Sequence, residues 1–130
     1  MSDWRRETAE DLSEADTNLQ SVLGSISGEP TRDQIRHVWL AYVKVEKSIA
    51  FIKFDLDEEN PGRFIKLNAY KVPDERQALQ FASRSLRKGA ADFELGDFRS
   101  ALKNLRESRN YLRALLREKR LQSSRKPRRG

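Results

Sequence analysis

The sequence predicts an all-α protein, an antiparallel bundle of about four helices followed by a disordered basic C-terminal tail. Three observations carry that prediction. Apolar residues recur every three or four positions through most of the 130 residues, the spacing that lines one face of a helix. Helix formers dominate, and β-branched residues gather only around Val43 and Val45. Hydrophobic residues make up 37% and charged residues 35%, a balance suited to helices with one buried stripe and a charged outer face.

The first helix is expected from about Ser2 to Ile26. Trp4, Thr8, Leu12, Ala15, Leu19, Val22 and Ile26 share one face, and Asp3, Glu7, Glu10 and Asp11 crowd the early turns, where the helix dipole favours acids. Gly24, Ser27 and Gly28 supply its end. The second helix opens on a capping box, with Thr31 at the cap and Gln34 three residues on. Ile35, Val38, Tyr42, Val45, Ile49, Ile52 and Leu56 then form its stripe. Trp39, Ala41, Val43, Ala50, Phe51 and Phe54 widen that stripe, so this helix is expected to sit centrally and touch several neighbours. Over residues 61–72, Asn60 and Pro61 suit the start of a short helix, although FIKLNAYKV also suits an extended segment.

Asp74 and Gln77 repeat the capping-box pattern and open a third helix. Its stripe is Leu79, Ala82, Leu86, Ala90 and Phe93, and it runs to about Leu95. Gly96 suits a left-handed helix terminus, and Asp97 caps a fourth helix with Phe98, Ala101, Leu102, Leu105, Leu112, Leu115 and Leu116 on its stripe. So short a link makes the third and fourth helices antiparallel neighbours. The bundle is expected to cover residues 1–121 as one domain. In 122–130 (QSSRKPRRG) apolar periodicity stops, which predicts a disordered tail.

The formal net charge is +6, and it is concentrated at one end. Residues 117–130 hold seven basic residues and one acid, whereas residues 1–116 hold 19 of each sign. The pI of about 9.8 is therefore a property of the tail. Cysteine is absent and histidine occurs once, which excludes disulfides, a thiol nucleophile and any ordinary zinc site. The six glycines are scattered, so no phosphate-cradling loop is expected, and no run is long and apolar enough for a membrane span. No cofactor or metal is expected. The location expected is cytoplasmic.

Two resemblances are present. ADFELGDFRSALKNLRES, within Gly89–Ser108, resembles the middle of one tetratricopeptide repeat. Gly89, Gly96, Phe98, Ala101, Leu105 and Ser108 stand at that family's small and large packing positions. What this likeness implies is close helix packing: small residues let two helices approach and large ones fill between them. TRDQIRHVW holds Arg32, four residues, then His37, and is similar to the Arg-x4–6-His motif of HEPN-domain ribonucleases, which are small four-helix bundles. That resemblance implies His37 as acid or base at a ribose 2′-hydroxyl and Arg32 as the phosphate holder. The family's tyrosine two places after the histidine is Trp39 here.

The acidic run Asp55, Asp57, Glu58 and Glu59 follows the second helix and suits solvation or pairing with Arg63, Lys66 or Lys71. The aromatics are expected in the core or in hairpin packing. On the fourth helix, Arg99, Lys103, Arg106, Arg109, Arg113, Arg117 and Arg120 follow one another at steps of three or four, and the stripe leads into the tail.

The expectation is a non-catalytic helical binding module. Arg106, Arg109, Arg113, Arg117, Lys119 and Arg120 of the helix would contact the phosphates of RNA or DNA. Arg125, Lys126, Arg128 and Arg129 of the tail would extend that contact. A protein partner or a homodimer could use the helical body, and no membrane contact is expected. The alternatives are a HEPN-like metal-independent ribonuclease using Arg32 and His37, and a helical protein–protein adaptor.

Overall fold

The computed structural model describes residues 3–56 and 74–125, with side chains as far as Arg117. Four helices account for nearly all of it: α1 (Asp3–Ser25), α2 (Arg32–Asp55), α3 (Glu75–Glu94) and α4 (Phe98–Arg125). The all-α bundle read from the sequence is therefore the observed fold. No helix among the described residues is long and apolar enough to cross a membrane.

Local chemistry explains the helix ends. Thr31 accepts from the Gln34 amide at 3.1 Å, and the Gln34 side chain accepts from the Thr31 amide at 2.8 Å, so both halves of the capping box form. At α3 only half of the expected capping box forms: Asp74 accepts from the Gln77 amide at 2.7 Å, without the return bond that Gln34 makes at α2; Asp97 accepts from the Ser100 amide at 3.2 Å. Gly96 has φ +81° and turns α3 into α4 with a conformation that side-chain-bearing residues rarely adopt. α4 continues to Arg125, past the expected boundary at Leu121, while residues 126–130 lie outside the described ones.

One end of the bundle is marked by an aromatic cluster. Trp4, at the start of α1, meets Phe51 near the end of α2, Phe93 near the end of α3 and Phe98 at the start of α4. Hence α1 and α4 run one way, and α2 and α3 the other. The principal neighbours form a ring, α1 against α2 and α3, and α4 against α3 and α2. Every neighbouring pair is therefore antiparallel, and the chain order is up, down, down, up. The stretch that separates α2 from α3, including residues 61–72 and the acids Asp57, Glu58 and Glu59, lies outside the described residues. Asp55 is exposed at the end of α2.

The core is the sum of the four stripes. Leu12, Leu19, Val38, Val45, Ile52, Leu79, Leu86, Leu105, Leu112 and Leu115 are all fully buried. α3 and α4 approach closely at Gly89, where an added Cβ would come 2.8 Å from Leu105 Cδ2 and 3.3 Å from the Ala101 carbonyl. That is the close packing the tetratricopeptide likeness implies. Two buried polar side chains of α4 bond to α3: Ser108 Oγ donates to the Ala82 carbonyl at 2.7 Å, and Asn104 donates to Asp92 at 2.8 Å. Between α1 and α2, Lys44 pairs with Asp11 and Glu14, and Lys47 with Glu7 and Asp11.

The structure corrects two expectations about α2. It sits in the ring like the other helices, and part of its widened apolar surface faces outward. Phe54 is 87% exposed, and Leu40, Val43 and Trp39 are about half exposed. Trp39 and Phe54 therefore do not belong to the core. The reason is geometric: a helix in a four-membered ring has a back that none of its ring neighbours covers.

Candidate functional site

At the end of the bundle opposite Trp4, α2 begins and α4 nears its C-terminus. A groove of about 1090 Å³ lies there. Two antiparallel helices build it. From α2 come Arg32, Asp33, Ile35, Arg36, Trp39 and Tyr42, and from α4 come Arg113, Leu116 and Arg117. Arg32 and Arg36 are four residues apart, as are Arg113 and Arg117, so each helix presents a pair of guanidinium groups on one face. Four arginines thus surround the groove against one carboxylate, that of Asp33, among the described lining residues.

Below the groove the two helices are tied together. Arg109 Nη1 donates to Glu46 Oε1 at 3.3 Å, and the Tyr42 hydroxyl lies 3.5 Å from Glu46 Oε2. Burial raises the Tyr42 phenol above its ordinary pKa, and the Glu46 carboxylate adds to that, so the hydroxyl stays a donor. Tyr42 also packs on Trp39, with ring centroids 5.5 Å apart at 33°. The indole is held on one side while 51% of the residue remains exposed. Arginine pairs bind phosphate or carboxylate oxygens with parallel N–H donors, and an exposed indole offers a flat apolar surface.

The structure distributes the candidate cations of α4 unequally. Arg113 and Arg117 are exposed and line the groove, whereas Arg109 is committed to Glu46 and Arg106 is half-buried. Lys119, Arg120 and Arg125 lie on the last turns of α4, beyond the described side chains. Lys126, Arg128 and Arg129 lie outside the described residues. Arg32 and His37 face different neighbours. Arg32 lines the α2–α4 groove, while His37 turns to α1, where its Nδ1 donates to Asn18 Oδ1 at 2.8 Å. An amide oxygen only accepts, so Nδ1 carries the proton. Five residues correspond to about 140° around a helix, which puts the two side chains on opposite flanks.

Sequence reasoning missed Arg36, Trp39 and Tyr42 as site residues. Arg32, Arg36 and Trp39 stand at helical spacing and could have been grouped. Their convergence with Arg113 and Arg117, 77 positions from Arg36 to Arg113, left no local signal. No group of three or more histidines, aspartates or glutamates among the described residues is placed to hold a metal ion. No protein-family model matches the chain, and no curated protein or solved structure matches it. The likenesses to HEPN ribonucleases and to tetratricopeptide repeats stand on the quoted residues alone.

Proposed function

We propose that the chain is a non-catalytic helical binding module that holds RNA or DNA by its phosphates, through the α2–α4 groove and the basic end of α4. The observation that carries this reading is the convergence of Arg32, Arg36, Arg113 and Arg117 on one groove, with Asp33 the one carboxylate among its described lining residues. Like charges repel, and folding alone gives no reason to gather them. A concave cluster focuses positive potential and draws polyanions. α4 runs on from Arg117 to Arg125 at this end of the bundle, and in sequence 117–130 holds seven basic residues. A cytoplasmic location accords with the lack of cysteine.

The test is binding of a labelled RNA and a labelled duplex DNA across a salt series. The full chain is compared with a chain ending at Arg120 and with the Arg36→Ala/Arg113→Ala double variant. Log affinity is expected to fall linearly with log salt. The double variant should lose about two units of that slope, about one per arginine–phosphate contact. Absence of binding at low salt ends the reading. His37→Ala should leave the salt slope unchanged, because His37 bonds to Asn18 of α1 and touches the groove only through Asp33, 3.7 Å from its Nε2.

A further inference from the structure

The groove offers more than charge, because Trp39 and Tyr42 stand inside the arginine cluster. A chain that bound only phosphates would gain nothing from a half-exposed indole, whose apolar surface is costly to leave in water. A ligand that matches every wall has negative oxygens for the arginines and a flat, unpaired ring for Trp39. A single nucleotide unit has both. A duplex does not, since its bases are already stacked on one another and offer Trp39 no free ring face.

We propose that the α2–α4 groove takes single-stranded nucleic acid, with one base stacked on Trp39 and the flanking phosphates held by Arg36 and Arg113. This rests on the phosphate-binding reading and adds to it the choice of single strand over duplex. Tyr42 acts as the support of the indole. It packs on Trp39 at 5.5 Å and is tied through Glu46 to Arg109 of α4, so the stacking surface and the two helices are held as one unit. Stacking on an indole is tolerant of base identity, so little sequence preference follows.

The experiment titrates the full chain with four probes: an oligouridylate of about twelve nucleotides, an RNA duplex of the same length, inorganic polyphosphate and uridine monophosphate. Affinity and tryptophan emission are both recorded. Trp4 lies in the aromatic cluster at the far end, so a change in emission that vanishes in Trp39→Phe belongs to Trp39. The single strand is expected to bind tighter than the duplex and to quench Trp39, while polyphosphate binds without quenching. Trp39→Ala should weaken the single strand about 5- to 150-fold and leave polyphosphate unchanged. Trp39→Tyr should restore most of the loss.

Equal affinity for strand and duplex, or a Trp39→Ala variant that binds the strand as before, overturns the stacking inference. If Arg36→Ala/Arg113→Ala still weakens all polyanions in that case, the phosphate-binding reading stands without it. Uridine monophosphate binding as tightly as the oligomer shows a free-nucleotide site and overturns the choice of a strand. Binding of none of the four overturns both proposals. Trp39 is on the surface, so unchanged circular dichroism of its variants is the expected control.

Discussion

At Gly89 the contact between α3 and α4 leaves no room for a methyl group. Leu105 is fully buried and the Ala101 carbonyl is backbone, so an added methyl displaces packed groups. Overpacking costs about 1–3 kcal/mol, and alanine recovers up to about 1 kcal/mol through its helix propensity. Gly89→Ala should therefore lower stability by about 1 kcal/mol in urea melts, and Leu105→Ala in the same chain should cancel that increment. A second residue-scale effect lies on the α1–α2 seam. Lys44 is raised above its ordinary pKa by its hydrogen bond to Glu14, and Lys47 by its hydrogen bonds to Glu7 and Asp11. Burial raises Tyr42 as well. All three hold protons in the folded chain that the unfolded chain releases. Their stabilisation is complete below about pH 10 and fades as pH rises above it. Thermal melts between neutral and strongly alkaline pH should show the fall. Lys44→Met with Lys47→Met should flatten it while lowering stability at neutral pH, because Asp11 is buried and loses its partners.

The helices depend on their ends as much as on their stripes. Thr31 and Gln34 satisfy each other's amides, and the Gln34 side chain also donates to Ser25 Oγ at 3.0 Å, which stitches the start of α2 to the end of α1. Thr31→Ala should cost about 1 kcal/mol, read as a lower urea midpoint at unchanged slope. Because the first two turns carry Arg32 and Arg36, fraying should also weaken polyanion binding, whereas Thr31→Ser should restore both. This dual readout separates a cap that merely stabilises from one that also positions the arginines.

On the scale of the whole molecule, antiparallel packing of α2 on α4 brings the basic faces of two distant segments together. It also sets the balance between cations paired inside the protein and cations left exposed on the groove. Arg109 belongs to the first group through Glu46, and Arg113 and Arg117 belong to the second. Glu46→Gln should move Arg109 toward the second group. Polyanion affinity should rise and the salt slope should steepen by up to about one unit, with a stability cost below about 1 kcal/mol because the pair is partly exposed. An unchanged slope in the salt series means that Arg109 cannot reach the ligand.

The sequence by itself determined the helices, their caps and their buried stripes. These rest on forces that act within a few residues: the helical repeat, the reach of Thr31 and Asp97 to amides three positions on, and the left-handed turn at Gly96. It also showed the arginine row of α4. What only the tertiary structure decided is which helices are neighbours, and hence what each face meets. Periodicity marks a face as apolar without saying whether another helix covers it, so Trp39 and Phe54 read as core and proved exposed. Likewise a row of arginines looks uniform along a chain. Packing pairs Arg109 with Glu46, turns His37 to Asn18, and sets Arg113 and Arg117 opposite Arg32, Arg36 and Trp39. Contacts between residues far apart in sequence depend on the relative direction of whole helices, and no short-range pattern encodes that.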